Sequence, residues 1–356
     1  MAGRHVVLDV GSGKEKPKTL MEKLRAHYND RQADRRHKNA AKTTMRCLMT
    51  IQAPTQLFMF HYYIIPYLFD GYDAWTQYYL KVIVTYMAIQ GYSNFLCTIL
   101  YDTSIPKTKD RPDLPGLNQR WENPPDHFVS IHTSGQNGCA VPIQSQNDEV
   151  SGFEWKYCDI CQIYRPPRAH HCDTCQACIL KRDHHCFMVG NCIGFKNQRY
   201  FVVLTFYAVL VGLIGGYFQY QYLSQYYYPI SYSWTDFIPL VATYRWLFGT
   251  VETISFHVCI MIYQVYLEIL FGLFGFLYFT SQIAIIAQGK TLYELAKSIP
   301  IRNLNSINDN FRSVFGDFWV LNFFFPMQII FRQRDDGRTW VGVKLDHNAN
   351  LQEKNN

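Results

Sequence analysis

Between residues 158 and 192 the chain holds Cys158, Cys161, Cys172, Cys175, Cys178, Cys186 and Cys192, seven of its 11 cysteines, along with His170, His171, His184 and His185. Thiols and imidazoles at this density either bind a soft metal ion or activate one sulfur as a nucleophile. The spacings point first to metal. Cys158 and Cys161, Cys172 and Cys175, and Cys175 and Cys178 each stand two residues apart. That is the knuckle spacing, in which a tight turn faces two thiolates toward one ion. A closed structural zinc site takes four ligands, so seven cysteines is an awkward number. With one cysteine set aside for chemistry, six thiols and two imidazoles make two Cys3His sites. At this level the register of the eight ligands and the choice among the four histidines stay open.

Cys186 has the strongest case for being set aside, because Asp183, His184, His185 and Cys186 are consecutive. A neighbouring imidazole favours a thiolate, and a carboxylate orients that imidazole and stabilises its charged form. Asp183, His184 and Cys186 could supply orienter, base and nucleophile, which frees His185 for metal. The competing reading makes Cys186 one more ligand. Cys47, Cys97, Cys139 and Cys259 are scattered and read as ordinary membrane or loop residues.

The elements that must position this cluster are apolar. Aromatics make up 16% of the 356 residues and charged residues 17%, against about 25% in a typical soluble domain. Four stretches, 47–69, 79–100, 200–222 and 257–287, reach the roughly 20 residues needed to cross a bilayer core. Gln52, Pro54, Gln56, Pro66 and Lys81 interrupt the first two. Lys and Arg number 12 in 1–46, 11 in 101–199 and 9 in 289–356, with none in 70–78 and only Arg245 in 223–256. The positive-inside rule then puts the N-terminus, the cysteine cluster and the tail on the cytosolic side. The short run 237–248, with Pro239 and Arg245, reads as a lumenal or interfacial segment.

A cytosolic cluster argues against a disulfide framework, since that compartment is reducing. The net charge of +6 goes with juxtamembrane basic residues, and no basic recognition helix points to nucleic acid. The first 46 residues are polar and basic, with no cleavable signal peptide. Their VVLDVGSGK lacks the first glycine of a phosphate-binding loop (Leu8 stands there) and is taken as a chance match. Gly212-x3-Gly216 permits close helix approach in the third span. The polar, proline-containing 102–155 segment reads as a flexible substrate or regulatory loop.

From Cys158-x2-Cys161 through Arg165-Pro166-Pro167-Arg168-Ala169-His170-His171-Cys172, Cys175, Cys178, Asp183-His184-His185-Cys186 and Asn191-Cys192 to Gly194 and Asn197, the chain resembles the DHHC protein S-acyltransferases. The match runs without a gap for about 50 residues and is specific in identity and spacing. The resemblance implies a mainly α, polytopic membrane fold: four transmembrane helices, with a cytosolic zinc-binding cysteine-rich domain between helices two and three. Its segments would be 1–46 (basic N-terminus), 47–100 (spans one and two), 101–155 (polar loop), 156–199 (zinc domain), 200–287 (spans three and four with a lumenal loop) and 288–356 (cytosolic tail).

By matching positions, the resemblance assigns Cys158, Cys161, His171 and Cys178 to one structural zinc. It assigns Cys172, Cys175, His185 and Cys192 to the other, and leaves His170 without a metal. Cys186 becomes the acyl-carrying nucleophile, His184 its base and Asp183 the orienter. The implied activity moves a long-chain acyl group from acyl-CoA to cysteines of target proteins. Lys181, Arg182, Phe187, Met188, Lys196 and Arg199 are candidate acyl-CoA contacts, and the basic ones serve equally well against lipid headgroups. The partners implied are membrane lipids, acyl-CoA and cysteine-containing proteins, with room for an accessory subunit and no nucleic acid. The implied location is an endomembrane, Golgi or endoplasmic reticulum, with the site facing the cytosol.

Two departures set the chain apart from most of the family. Phe187-Met188 follows the nucleophile where Pro-Trp is usual. Thr291-Leu292-Tyr293-Glu294 replaces a Thr-Thr-x-Glu motif, so the second hydroxyl, a partner of the orienting aspartate, is missing. The second departure predicts an Asp183 held less firmly, and the two together keep a catalytically weak or inactive zinc-stabilised adaptor in view. Asn310–Gly316 resembles the family's tail packing motif. Phe323, Phe324 and Phe325 with Pro326 fit either the membrane interface or a tail core.

Overall fold

A computed structural model describes residues 40, 42–105, 128–130, 140–142, 155–228, 234–249, 254–325, 333 and 336–345. The VVLDVGSGK stretch, Cys139, Pro326, most of the 102–155 loop and the last residues of the tail lie outside these.

The described residues are mainly helical. Helix α1 covers 42–68 and includes one widened turn at Phe60–Ile64. Helices α2 (Ala74–Leu100), α3 (Gln198–Tyr227) and α5 (Phe256–Ala287) are long and apolar enough to cross a membrane. Between the last two stands the short α4, Pro239–Phe248. Three of the four expected spans thus have the length and apolarity for crossing. The first, 47–69, is a helix but is not among the three, because Gln52, Gln56, His61 and its tyrosines dilute its apolar residues. The 237–248 run holds α4, whose 10 residues are too few to cross, and Arg245 on it pairs with Asp236.

Apolar side chains join the helices. Phe60 and Ile64 of α1 pack with Leu223 of α3 and Met261 of α5 at one end of the bundle. Glycine brings α3 and α5 together: a Cβ on Gly212 would lie 2.6 Å from Gly272 Cα. Backbones this close are a common way for helices to associate in a membrane. Of the Gly212-x3-Gly216 pair, Gly212 is thus used within the chain for backbone approach, while Gly216 faces the Glu268 side chain.

Short antiparallel strands β1 (Phe128–Ser130) and β2 (Ala140–Pro142) pair in the 102–155 segment. The cysteine-rich region folds as three successive hairpins: β3 (Lys156–Cys158) with β4 (Ile163–Arg165), β5 (His170–Cys172) with β6 (Ala177–Ile179), and β7 (His184–Cys186) with β8 (Asn191–Ile193). They are copies of one unit stepped by 14 residues. Cys158, Cys172 and Cys186 end the first strands, and Gln162, Gln176 and Gly190 turn the chain with φ of 54°, 54° and 60°. In the first two units the turn is closed by Gln162 N–H to Cys158 O and Gln176 N–H to Cys172 O, both 2.7 Å. The repeat is readable in the sequence as CDICQ, CDTCQ and CFMVG. In the third unit Val189 replaces the second cysteine and Gly190 the glutamine. Glycine suits that turn doubly. Its φ is positive, and a Cβ there would run into the Lys42 side chain.

The third hairpin is held against the helices. Arg46 of α1 donates to Val189 O (2.9 Å) and Gly190 O (3.2 Å). Asn191 and Asn197 donate to Ile99 O (3.3 Å) and Thr98 O (3.1 Å). These are carbonyls at the C-terminal end of α2, which have no partner within their own helix. The tail adds β9 (Ile301–Asn303) paired with β10 (Val343–Leu345). Ile301, Val343 and Trp340 share a core with Cys158, Cys161 and Cys178. Helix α7, Ile307–Phe315, buries Phe311, Val314 and Phe315 against α3 and α5. Phe323 joins that core, whereas Phe324 and Phe325 are exposed.

Candidate active site and metal centres

Strand geometry separates the roles packed into Asp183–Cys186. Successive side chains of a strand point to opposite faces. On β7, His184 and Cys186 therefore share one face and His185 takes the other. The same alternation on β5 parts His171 from His170 and Cys172.

The structure gathers two sets of four ligands. Cys158, Cys161, His171 and Cys178 form one, Cys172, Cys175, His185 and Cys192 the other, and within each set the ligand atoms all lie within 4.8 Å of one another. His171 Nδ1 stands 3.3 Å from Cys161 Sγ and 3.8 Å from Cys158 Sγ. His185 Nδ1 stands 3.2 Å from Cys175, 3.6 Å from Cys192 and 3.8 Å from Cys172. Zn–S bonds of about 2.3 Å and Zn–N bonds of about 2.0 Å in a tetrahedron separate the ligands by roughly 3.6 Å, so the donor sets fit an ion of that size. The second set is the first moved along by one repeat: 158, 161, 171 and 178 become 172, 175, 185 and 192. A third set would need Cys186, Val189, Arg199 and Phe206, of which only Cys186 can ligate. Cys186 thus stands at a knuckle position whose partners are absent.

Cys186 is 1% exposed and packs with Phe95, Val189, Ile193 and Phe201. On the same face, His184 donates from Nδ1 to Asp183 Oδ2 at 2.8 Å. Its ring stacks on Tyr278 of α5 (5.4 Å) and meets Phe201 of α3 edge-on (5.2 Å). Among the described residues Nε2 has no hydrogen-bond partner. Burial opposes a charge on this ring, but the bond to Asp183 and the adjacent Cys186 sulfur outweigh it and raise the imidazole to about 9.

His170, one repeat earlier, has the opposite surroundings. Ala169 stands where Asp183 would be. Arg165 Nη1 donates to His170 Nδ1 at 3.1 Å, and the ring lies tilted against Tyr293 with centroids 4.1 Å apart. Burial, reinforced by Arg165 and Arg182, drives His170 down to about 3 and keeps it neutral.

Asp183 is fully buried and firmly held. Gln282 Nε2 of α5 donates to Oδ2 at 2.6 Å, and the Leu292 backbone N–H donates to Oδ1 at 2.7 Å. Gln198 Nε2 in turn donates to Gln282 Oε1 at 3.0 Å. Asp183 thus has two donors besides His184 although the hydroxyl expected at 292 is absent; the main-chain one would be there with any residue but proline at 292. Leu292 begins helix α6, Leu292–Ala296. That helix is capped by Thr291, whose hydroxyl accepts from Glu294 N–H (3.2 Å) while Glu294 Oε2 accepts from Thr291 N–H (2.8 Å). Arg168 grips Glu294 with two bonds of 2.6 and 2.8 Å, both side chains buried. This clamp ties the hairpins to the end of α5.

Sequence reasoning missed Gln282 and Gln198. The signal for Gln282 was polarity within an apolar span, where such a residue ordinarily faces the bundle interior and has a role; Gln198 lies just outside the 200–222 stretch and gave none.

An apolar cavity opens at Cys186 and runs between α1, α2, α3 and α5. Met188 and Val189 line it beside the thiol, so Met188 serves as cavity wall, while Phe187 is exposed. Of the basic candidates for acyl-CoA, only Lys196 is exposed. Lys181 is buried over the Trp340 ring (5.4 Å), and Arg199 is buried beside Tyr200. Arg182 lies over Tyr293 (4.8 Å) and donates to His171 O (2.6 Å).

Over residues 151–299 the chain matches the family described as DHHC palmitoyltransferase. Residues 151–299 are a DHHC palmitoyltransferase domain. The DHHC domain has curated relatives. Palmitoyltransferase ZDHHC22 of Danio rerio is 34% identical over 179 residues, 49% of this chain and 58% of that protein. Palmitoyltransferase erf2 of Neurospora crassa is 41% identical over 136 residues, 38% of this chain and 18% of that protein. Probable protein S-acyltransferase 6 of Arabidopsis thaliana is 31% identical over 101 residues, 27% of this chain and 25% of that protein. The chain thus spans little more than half of the first relative and a quarter or less of the others. Of the three described helices long and apolar enough to cross a membrane, two lie within the DHHC domain and one precedes it, as suits an integral membrane protein.

Proposed function

We propose that this protein is an S-acyltransferase that moves a long-chain acyl group from acyl-CoA to cysteines of other proteins through an acyl-Cys186 intermediate. One observation carries the reading: a buried thiol at the end of an apolar cavity, beside an imidazole held by a buried carboxylate. His184 takes the Cys186 proton, and the sulfur attacks the thioester carbonyl. The bond from carbonyl carbon to CoA sulfur then breaks, and CoA leaves as a thiolate. In the second half a substrate cysteine thiolate attacks the acyl-Cys186 carbonyl, and the Cys186 sulfur departs and recovers its proton. Both halves exchange one thioester for another, so positioning and an activated sulfur are most of what the protein must supply. The cavity supplies the site for the chain, whose burial is worth about 0.8 kcal/mol per CH2.

Zinc is the ion that the two Cys3His sets suit, and in such closed sites it holds backbone in place without entering the chemistry. Here it would fix the turns flanking β7. The chain would cross the membrane four times, with α1 as the fourth crossing beside the three apolar helices. Its basic segments and DHHC domain would face the cytosol of an endomembrane. The adaptor reading drew on Met188 and Leu292; against it, Met188 still lines the cavity beside the thiol and Asp183 keeps two donors besides His184.

The test is incubation of the purified chain with labelled palmitoyl-CoA. The expected product is a hydroxylamine-sensitive acyl-enzyme that is lost in Cys186→Ser. Unchanged labelling of Cys186→Ser would sink the assignment.

A further inference from the structure

Glu268 is a carboxyl placed in the apolar part of α5, and it is only 2% exposed. Its Oε1 accepts from Gln56 Nε2 of α1. Its Oε2 is buried with no partner among the described residues. Both side chains line the cavity that begins at Cys186. From the thiol inward, the deepest lining residues are Phe60 on α1, Gly215 on α3 and Glu268 on α5. From Tyr278, against His184, to Glu268 is ten residues, about 15 Å of helix at 1.5 Å per residue. Glu268 therefore stands at the cavity floor.

Glycines leave the space these polar groups occupy, and more polar groups lie nearby. A Cβ on Gly215 would lie 2.9 Å from Gln56 Nε2, and one on Gly216 would lie 3.6 Å from Glu268 Oε2. One turn deeper, Gln219 Nε2 donates to Gln264 Oε1 at 3.3 Å. Gln219 Oε1 and Gln264 Nε2 remain without partners among the described residues. So does Gln52 Nε2, one turn nearer the mouth and lining the same cavity.

Buried polar atoms nearly always have partners, and ionisable groups inside a membrane mark ligand paths by default. A plain alkyl chain offers such atoms nothing, and its methyl end would leave Oε2 bare. A hydroxyl at the far end of the chain can donate to Oε2 and accept from an amide. We propose that Glu268 and Gln56 form a recognition subsite for an oxygenated distal end of the acyl chain. The donor class is then a long-chain acyl-CoA hydroxylated at or near its terminus. For its donor this subsite rests on the acyl-transfer reading. A site built to hydrogen-bond a hydroxyl discriminates strongly against the analogue that lacks it.

The experiment times acyl-Cys186 formation by the full chain in detergent micelles, with palmitoyl-CoA and with ω-hydroxypalmitoyl-CoA. In the parent, kcat/KM favours the hydroxylated donor. That ratio falls about tenfold or more in Glu268→Leu, which removes the acceptor. It falls in the same direction in Gln56→Leu, on a different helix, and is largely kept in Glu268→Gln. A parent that prefers the plain donor, or a Glu268→Leu ratio equal to the parent's, overturns the proposal. A second readout needs no thiol: displacement of labelled palmitate from the Cys186→Ser chain by ω-hydroxypalmitate and by palmitate. If neither thioester acylates Cys186 but the hydroxylated acid displaces better, the acyl-transfer reading falls and the subsite stands. Equal displacement overturns the subsite.

Discussion

Replacing Leu292 by proline would delete one hydrogen bond and little else. Leu292 is the first residue of α6, the helical position that tolerates proline best. The preceding Thr291 already has φ −120° and ψ 159°, the extended region that proline demands of its predecessor. The Thr291–Glu294 cap uses neither the Leu292 N–H nor its side chain. What is lost is the 2.7 Å bond to Asp183 Oδ1. A hydrogen bond to a charged group contributes about 1.5–3 kcal/mol, and 1.36 kcal/mol is tenfold in rate, which bounds the effect at about 10- to 150-fold. Gln282 still holds Oδ2 at 2.6 Å, so the carboxylate stays roughly in place and the loss belongs near the tenfold end. The assay is single-turnover acylation by labelled palmitoyl-CoA, with zinc content and the melting transition as controls for folding. Leu292→Ala keeps the N–H and should stay near the parent rate, as should Leu292→Thr. If Leu292→Pro folds, holds its metal and acylates as fast as Leu292→Ala, then the main-chain bond does not position Asp183 for the reaction.

Other outcomes follow from the same geometry. Gln282→Leu should slow acylation about tenfold or more, because it removes the other donor to Asp183, and combining it with Leu292→Pro should cost more than either alone. Cys186→Ala should keep two metals per chain, as the two ligand sets require; loss of one zinc by metal analysis would show that Cys186 is a ligand. Cys158→Ala should lose zinc and melt early, since structural metal binding is folding energy. Arg168→Ala should destabilise by about 3–5 kcal/mol, because it strands the buried Glu294. Arg168→Lys should recover only part of that, since it cannot make the two-pronged contact.

What the sequence made legible was chemistry carried by side-chain type and spacing. The knuckle pairs, the run Asp183–Cys186 and three apolar helices all stand out in a single chain. The support of Asp183 was not legible, for two different reasons. The Leu292 donor is a backbone N–H, which every residue but proline possesses and no spacing reveals. Gln282 is far away in sequence, and only the packing of α5 against β7 brings it to the carboxylate. The loss of a hydroxyl at 292 was visible, but the donors that remain were not. For α1 the sequence suggested a span, yet Gln52 and Gln56, which weaken it, both line the cavity. The 14-residue repeat of CDICQ, CDTCQ and CFMVG stood in the sequence unread, and it became plain only when the three hairpins were seen to be alike.

The repeat also explains what keeps Cys186 unligated. Each of the first two units offers two sulfurs to an ion, whereas the third offers one sulfur and the methyls of Val189. A lone thiolate is a poor chelator. Val189→Cys would rebuild a Cys-x2-Cys pair around Cys186 and convert a nucleophile into a metal trap, with chelators restoring whatever acylation the variant retains. The reactive sulfur thus depends on an aliphatic neighbour that takes part in no step of its chemistry, and its vulnerability to soft metals is a single substitution away.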